Sequence, residues 1–207
     1  MQETIDKLFY EKQELANGAK YIAGVDEVGR GPLAGPVVCS AVILPLDDII
    51  EGIDDSKKLS KKKRELLYDK IIKKAICYTI CEIQADEIDE INILQATKKC
   101  MKNCIETLSV TPDAVLIDAV KLDVNVKTVP IIKGDLKSYS IGAASILAKV
   151  YRDRLMEEYS KKYVGYGFER NSGYGTKEHI QKIKEIGPCL IHRKTFIKNF
   201  LEVKAND

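Results

Sequence analysis

Short apolar runs, some of them alternating with polar residues, recur at five places along the chain and predict β-strands. They cover residues 21–28, 37–44, 75–83, 114–118 and the region around 129–132. The first two runs are separated by residues 29–36, which contain three Gly and two Pro. Such a segment favours a tight turn, so these two strands are predicted to form an antiparallel hairpin.

Helical spacing of apolar residues fills the intervals between the strands and continues to the C-terminus. Ser60 is a suitable N-cap for a basic helix that reaches about residue 74. The other predicted helices are a short one near the N-terminus and the ranges 86–90, 94–108, 140–162, 176–186 and 192–202. A Gly- and Tyr-rich loop is predicted at 164–175. This order of elements predicts an α/β fold in which helices cover a mixed sheet.

A chain of 207 residues is long enough for one domain with a substantial core. Its 45% hydrophobic and 31% charged residues exclude a disordered tail, a collagen-like fibre and a bare coiled coil. There is no repeat or Pro/Ser-rich linker, so a single domain over 1–207 is predicted. No apolar run approaches the ~20 residues of a membrane helix, and no secretory signal is visible. We expect a cytoplasmic protein without membrane contact.

Six cysteines are scattered along the chain, and two pairs share C-x-x-x-C spacing. Cys77 and Cys81 fall in a predicted strand, while Cys100 and Cys104 share one face of a predicted helix. Neither pair has the C-x-x-C spacing of a zinc knuckle, and the set does not resemble a secreted disulfide framework. We expect reduced cysteines that serve as buried apolar side chains.

Charge is distributed unevenly, although the net charge is only +2 from 33 basic and 31 acidic side chains. Between residues 56 and 74, nine Lys or Arg stand against two acids. A basic face of this kind suits nucleic-acid phosphates, but a solvated lysine-rich helix is the more frequent explanation when charge is the only observation.

Acidic residues lie at the ends of the predicted strands. Asp26 and Glu27 lie inside the otherwise apolar strand 22–28, and neighbouring side chains of a strand point to opposite faces, so at least one acid must meet the interior or a cleft. Asp118 ends a third apolar run, and Asp135 follows another. Carboxylates without nearby Cys or His are typical ligands of Mg²⁺ or Mn²⁺, and two such ions form a phosphodiester-hydrolysing arrangement. The alternative is that each acid is a cap or an ion-pair partner.

The two histidines, His179 and His192, lie far from these acids in the sequence and are best explained as hydrogen-bonded structural residues. The sequence also lacks the nucleophile elbow of a hydrolase triad. These residues alone therefore favour a metal-dependent phosphotransfer enzyme or nuclease, without deciding between them.

Six blocks in order resemble the motifs of ribonuclease HII, the type 2 ribonuclease H of bacteria. They are residues 21–38, 55–60, 133–135, 140–153, 173–179 and 192–193. The resemblance implies a ribonuclease H-like mixed five-stranded sheet flanked by helices, with a helical, substrate-binding C-terminal segment at about 163–207. It also implies an endonuclease that hydrolyses the RNA strand of RNA/DNA hybrids. Such an enzyme cleaves on the 5′ side of single ribonucleotides in duplex DNA, leaving 3′-OH and 5′-phosphate ends, and so removes misincorporated ribonucleotides and RNA primers.

The resemblance also assigns roles to residues. Two Mn²⁺ or Mg²⁺ ions would be held by the catalytic acids Asp26, Glu27, Asp118 and Asp135. Asp153 is a rival for the last position, but it follows Lys149 and Arg152 on a predicted helix and is expected to pair with a cation there. The ribose 2′-OH would be read by Gly29, Arg30 and Gly31, and the adjacent deoxyribose by Tyr174 rather than by the neighbouring Tyr163 or Tyr166. Phosphate contacts are expected from Lys57, Lys58, Ser138 and Lys177.

Two segments depart from the family pattern. Ala119 and Val120 follow Asp118 where the family more usually has Gly-Asn, which concerns the loop geometry there rather than the acid. Residues 196–200 differ from the usual Phe-x-Pro-Val. The expected partners are RNA/DNA hybrids and ribonucleotide-containing DNA, bound by a monomer, with contact to a replication clamp left open. The rival hypotheses are a non-catalytic nucleic-acid-binding module and another metal-dependent nuclease or strand-transfer enzyme of the same fold class.

Overall fold

The computed structural model describes residues 6–54 and 56–201. The strands are β1 (Ile22–Val28), β2 (Val37–Ile43), β3 (Cys77–Ile83), β4 (Ala114–Asp118) and β5 (Lys127–Ile131). The helices are α1 (Phe9–Ala16), α2 (Lys61–Lys74), α3 (Ala85–Glu106), α4 (Gly134–Lys137), α5 (Tyr139–Lys162), α6 (Phe168–Asn171), α7 (Lys177–Ile186) and α8 (Lys194–Leu201).

The strands form one mixed sheet in the order β3-β2-β1-β4-β5. The predicted hairpin is confirmed, because β1 pairs antiparallel with β2 from Ala23 opposite Ile43 to Val28 opposite Val38. Strand β3 continues the antiparallel half, whereas β1, β4 and β5 run parallel. The predicted mixed five-stranded α/β architecture is therefore confirmed.

Apolar side chains cover both faces of the sheet. On one face, alternate residues of β1, β2 and β4 pack against α3, and on the other they pack against α2 and α5. A third cluster includes Met156, Tyr166 and Phe168 and joins the C-terminal helices to Leu33 and Ala34 of the turn after β1. This third cluster places the C-terminal segment beside that turn.

Helix α5 packs closely against the sheet at Gly24. A Cβ atom built there would lie 2.1 Å from the backbone of Ser140. We therefore expect Gly24→Ala to lower the free energy of unfolding by about 3 kcal/mol, the upper part of the range for overpacked cores. Urea unfolding measures this. Gly31→Ala is the control, since its Cβ would meet nothing closer than 3.8 Å and should leave stability nearly unchanged.

The local predictions differ from the structure mainly at helix ends. The two predicted helices 86–90 and 94–108 are both present in α3, which is kinked at Asn92 with φ of 66°. The Asn92 side chain accepts hydrogen bonds from the N–H groups of Leu94 and Gln95, so it caps the second half. The last helix, predicted from about residue 192, begins at Lys194. Helices α4 and α6 were not predicted.

The cysteines are unpaired. Cys77, Cys100 and Cys104 are buried in the core against α3, and Cys81 packs against the same core, which confirms their predicted role as apolar filling. The helices within the described residues include none that is long and apolar enough to cross a membrane.

Candidate active site

Asp26 and Asp118 project from neighbouring parallel strands. Val25 of β1 stands opposite Ile117 of β4, so the two acids are the next residues on their strands. Both point to the face that α5 covers, and the Ser145 hydroxyl of α5 lowers the pKa of Asp26. The carboxyl ends of adjacent parallel strands are a common position for ligand sites in open sheets.

Asp26 is the more deeply buried acid, with 5% of its surface exposed. Burial raises its pKa well above the ordinary value of 3.8, and the charge of Glu27 raises it further. Hydrogen bonds from Ser145 and from the N–H of Glu27 at 2.8 Å act in the opposite direction. A carboxylate in this position is unfavourable unless positive charge is added nearby.

Glu27 lies beside the first residues of the turn. Burial raises its pKa, and the Arg30 guanidinium at 3.4 Å opposes this. Its Oε2 is buried without a hydrogen-bond partner among the described residues. An orphaned carboxylate oxygen of this kind is suited to coordinate a cation.

Helix α4 brings the fourth acid to the same place. The N–H of Gly134 donates to Asp118 Oδ1 at 2.7 Å, which fixes the start of α4 against the end of β4. Burial is the main cause that raises the pKa of Asp118, and the charge of Asp135 adds to it. Asp135 is 7% exposed and lies 3.6 Å from Lys57 Nζ.

These side chains offer only carboxylate oxygens, the donor set of Mg²⁺ and Mn²⁺ rather than of zinc. In the part of the chain that the structure describes, no group of three or more His, Cys, Asp or Glu side chains is already arranged to hold a metal ion. Asp118 is instead turned to the N–H of Gly134, and Asp135 to Lys57. The excess of buried negative charge and the orphaned oxygen of Glu27 nevertheless fit a divalent cation.

The loop after Asp118 explains one departure from the family pattern. Ala119 has φ of 49°, in the left-handed region that favours glycine, and its N–H donates to Ile131 O at 3.1 Å. A glycine, the more usual family residue at this position, adopts this conformation without strain. Ala119 adopts it at an energetic cost, because its Cβ crowds the backbone there. The Asp118 carboxylate stays in place because its own hydrogen bond to Gly134 is kept.

We therefore expect Ala119→Gly to stabilise the protein. Relief of the left-handed strain outweighs the added freedom of the unfolded chain by up to about 1 kcal/mol. Chemical denaturation of the variant and parent measures the difference. Ala114→Gly, in the regular part of β4, is the control and should destabilise.

The turn after β1 and Tyr174 lie together. Gly29 has φ of 91°, and Leu33 N–H donates to Gly173 O at 2.8 Å. A methyl group at Gly31 would lie 3.8 Å from the Tyr174 ring, which is 44% exposed. The rival aromatics are placed differently: Tyr166 is buried and donates to Gly187 O, and Tyr163 packs on Tyr159.

Three of the four predicted phosphate contacts are exposed and one is buried. Lys57 and Lys58 have exposed side chains near the site, and the side chain of Lys177 is exposed at the start of α7. Ser138 requires a correction: it is fully buried, donates to Glu11 Oε1 at 2.6 Å and caps α5 by accepting from Ile141 N–H. Its hydroxyl is not available to a phosphate. Asp55, in the same motif as Lys57, lies outside the described residues.

Other predictions about side chains around the site are confirmed. Asp153 pairs locally with Lys149 at 2.6 Å and with Arg64 at 3.6 Å, as expected for a helix carboxylate. His179 and His192 are buried against each other, with their Nε2 atoms 3.1 Å apart. Both are satisfied structural histidines.

Several site residues were not predicted. Ser145 forms a hydrogen bond with Ser56 at 2.9 Å and lowers the pKa of Asp26. Arg152 and Arg193 are buried beneath the turn after β1. The run Gly142-Ala143-Ala144-Ser145 could have indicated close packing of α5, but no sequence signal distinguishes a buried arginine from an exposed one.

This chain is similar to proteins of one family along most of its length. The sequence profile of the Ribonuclease HII family matches residues 23–199. The ribonuclease HII of Ruminiclostridium cellulolyticum is 55% identical over 203 residues, which cover 98% of this chain and 80% of that protein. The ribonuclease HII of Caldicellulosiruptor saccharolyticus is 53% identical over 204 residues, which cover 97% of this chain and 100% of that protein.

Solved structures extend the likeness to the fold. The ribonuclease H2 of Pyrococcus horikoshii has a TM-score of 0.77 at 28% identity, covering 91% of this chain and 100% of that one. The RNase HII of Archaeoglobus fulgidus, solved in a complex with PCNA, has a TM-score of 0.73 at 28% identity, covering 84% of this chain and 94% of that one. The chain therefore belongs to the ribonuclease HII family of metal-dependent endoribonucleases, which act on the RNA of RNA/DNA hybrids.

Proposed function

We propose that this chain also cleaves on the 5′ side of a single ribonucleotide embedded in duplex DNA, leaving 3′-OH and 5′-phosphate ends. Its cellular role would be the removal of misincorporated ribonucleotides and RNA primers. The observation that carries the proposal is the position of the turn after β1: its Arg30 lies 3.4 Å from Glu27, and a methyl group at its Gly31 would lie 3.8 Å from the half-exposed Tyr174 ring. One surface thus offers groups for two successive sugars.

Asp26, Glu27, Asp118 and Asp135 are the residues that would hold two Mg²⁺ or Mn²⁺ ions. When bound, such ions activate a water molecule and stabilise the leaving oxygen of a phosphodiester. The protein's own contribution is to keep these carboxylates fixed: the N–H of Glu27 orients Asp26, and the N–H of Gly134 orients Asp118.

The turn after β1 would read the ribose. Its glycines let backbone groups come close to the sugar, and the 2′-OH is the group by which a protein distinguishes RNA from DNA at one position. Arg30 is held near the site by Glu27. Tyr174 would pack on the neighbouring deoxyribose, and Lys57, Lys58 and Lys177 would contact phosphates.

The test is a cleavage assay with Mg²⁺ or Mn²⁺ on a DNA duplex that carries one ribonucleotide, beside an RNA/DNA hybrid, an all-DNA duplex and an all-RNA duplex. We expect cleavage of the first two and a single cut 5′ of the ribonucleotide. Cleavage of all-DNA substrate would favour a DNA nuclease of the same fold, and binding without any cleavage would favour a non-catalytic module. Either result would overturn the proposal.

The lysines just before and at the start of α2 give a separate prediction about the salt dependence of substrate binding. Lys58→Gln combined with Lys62→Gln should reduce the slope of log Kd against log salt by roughly 2, because each phosphate contact removed releases about one counterion less. Lys70→Gln with Lys73→Gln is the control, since it removes the same charge from exposed positions toward the other end of α2. Fluorescence anisotropy with a hybrid duplex measures both. Equal slopes in the two double variants would show that the first pair is merely solvated.

A further inference from the structure

Two arginines, Arg152 of α5 and Arg193 before α8, are completely buried. None of the ion pairs found between residues 6–54 and 56–201 includes either of them. A buried charge without a counter-ion is unfavourable unless hydrogen bonds replace its hydration. Their positions therefore need an explanation beyond packing.

Arg193 replaces its hydration with carbonyl groups of the turn after β1, residues 29–36, which we call the sugar loop. It donates to Gly29 O at 2.5 Å, to Arg30 O at 2.9 Å and to Gly35 O at 3.0 Å. Two of these carbonyls belong to the segment proposed to read the ribose. Arg193 thus fixes that segment from beneath.

Arg152 contacts the sugar loop and a second loop at once. It donates to Ala34 O at 3.1 Å and to Pro36 O at 3.0 Å on one side. On the other side it donates to Ser172 O at 2.9 Å, in the segment 172–176 that carries Tyr174 and that we call the tyrosine loop. One guanidinium therefore connects the two loops.

The two loops pack closely against each other and against Arg152. A Cβ atom at Gly173 would lie 2.4 Å from Ala34 O, and one at Gly29 would lie 2.3 Å from Arg152 Nε. The planar guanidinium presents five N–H donors in a fixed fork, which a lysine ammonium does not reproduce. Although burial lowers the pKa of Arg152 to about 10 and that of Arg193 to about 9, both remain charged at neutral pH.

We infer that Arg152 and Arg193 are positioning residues for substrate selection: Arg193 sets the sugar loop, and Arg152 sets the distance between the sugar loop and Tyr174. The inference rests on the proposed function, because it assumes that the two loops read the RNA and DNA sides of one junction. Because both arginines are buried, neither can contact the substrate, and both act through the loops.

The test compares kcat/KM for a DNA duplex carrying one ribonucleotide with kcat/KM for a continuous RNA/DNA hybrid. For Arg152→Lys we expect the ratio of the first kcat/KM to the second to decrease by about 5- to 100-fold. A shift of the Tyr174 ring on the order of 1 Å is enough to produce an effect of this size. In the Tyr174→Ala background, Arg152→Lys should leave the ratio within about twofold, since coupled residues are not additive. Arg193→Lys should lower both kcat/KM values and leave the ratio unchanged, since both substrates present a ribose.

A purely structural role is separated by controls. Leu67→Ala, in α2 and in another core cluster, supplies a variant of comparable thermal stability loss and should not move the ratio. Gly173→Ala disturbs the fit between the loops without changing either arginine, so it should lower the ratio even if Arg152→Lys does not fold. An unchanged ratio in Arg152→Lys or Gly173→Ala, or an equal change in Leu67→Ala, overturns the inference. An unchanged ratio in Tyr174→Ala itself overturns the proposed junction reading instead.

Discussion

Asp26→Asn should reduce cleavage of an RNA/DNA hybrid by roughly 10³-fold or more, which corresponds to about 4 kcal/mol of lost transition-state stabilisation. The acid is buried beside Glu27 and is placed within reach of Asp118 by the pairing of β1 with β4. Removing its charge weakens the attraction for the divalent cations on which the family depends. Single-turnover rates at saturating metal measure the effect.

The same variant should be more stable than the parent when measured in EDTA at neutral pH. Folding raises the pKa of Asp26 above 3.8, so its protonated form favours the folded state. The stability that the protonated side chain contributes is lost as the pH rises through the raised pKa, and above that pH the ionised side chain destabilises the folded state. The stability advantage of the Asn variant should therefore shrink as the pH falls toward 3.8.

Asp113→Asn is the matched control at the opposite end of the strands. Asp113 is exposed and accepts hydrogen bonds from the N–H groups of Lys20 and Tyr21 at 2.8 Å, which lower its pKa. Its stabilising contribution is present above its ordinary pKa and is lost in acid. This variant should keep full activity and lose stability at neutral pH. If Asp26→Asn instead keeps near-parental activity, Asp26 is not a metal ligand.

The acids could be found from the sequence because their positions follow from local periodicity. Asp26 follows the apolar residues 22–25 within β1, Asp118 is the last residue of β4, and the parallel pairing of these strands brings the two positions together. Ser60 was predicted as a cap for a similar reason, since its hydroxyl accepts from Lys63 N–H three residues along. The capping hydrogen bond joins residues only three positions apart, and the positions of the acids follow directly from the alternation of side chains along a strand.

The supporting side chains could not be predicted because their partners are remote. Arg152 binds the carbonyl of Pro36, which is 116 residues away, and Ser138 binds Glu11, which is 127 residues away. Neither interaction leaves a periodic signal, and Arg, Ser and Glu are mostly exposed in proteins. The burial of Ser138 is the reason that its predicted role as a phosphate contact had to be corrected.

Tyr174→Ala should lower kcat/KM for a duplex with one ribonucleotide more than kcat/KM for a continuous RNA/DNA hybrid. The expected difference is about 1–3 kcal/mol, or roughly 5- to 150-fold, if the packing of the ring on the sugar resembles aromatic stacking. Tyr174 is half-exposed beside Gly31 and lies outside the four acids, so the metal site should remain intact. Only the first substrate supplies a deoxyribose next to the ribonucleotide, so only its cleavage depends on the tyrosine ring.

Both substrates must be measured under one metal and one salt condition, because the comparison concerns differential stabilisation of two transition states. Tyr163→Ala is the control, since Tyr163 packs on Tyr159 rather than beside the sugar loop, and it should leave the ratio unchanged. Tyr174→Phe retains the ring and should retain most of the preference. An equal loss on both substrates would mean that Tyr174 packs the C-terminal segment, and the sugar loop would then read the ribose without help from the neighbouring nucleotide.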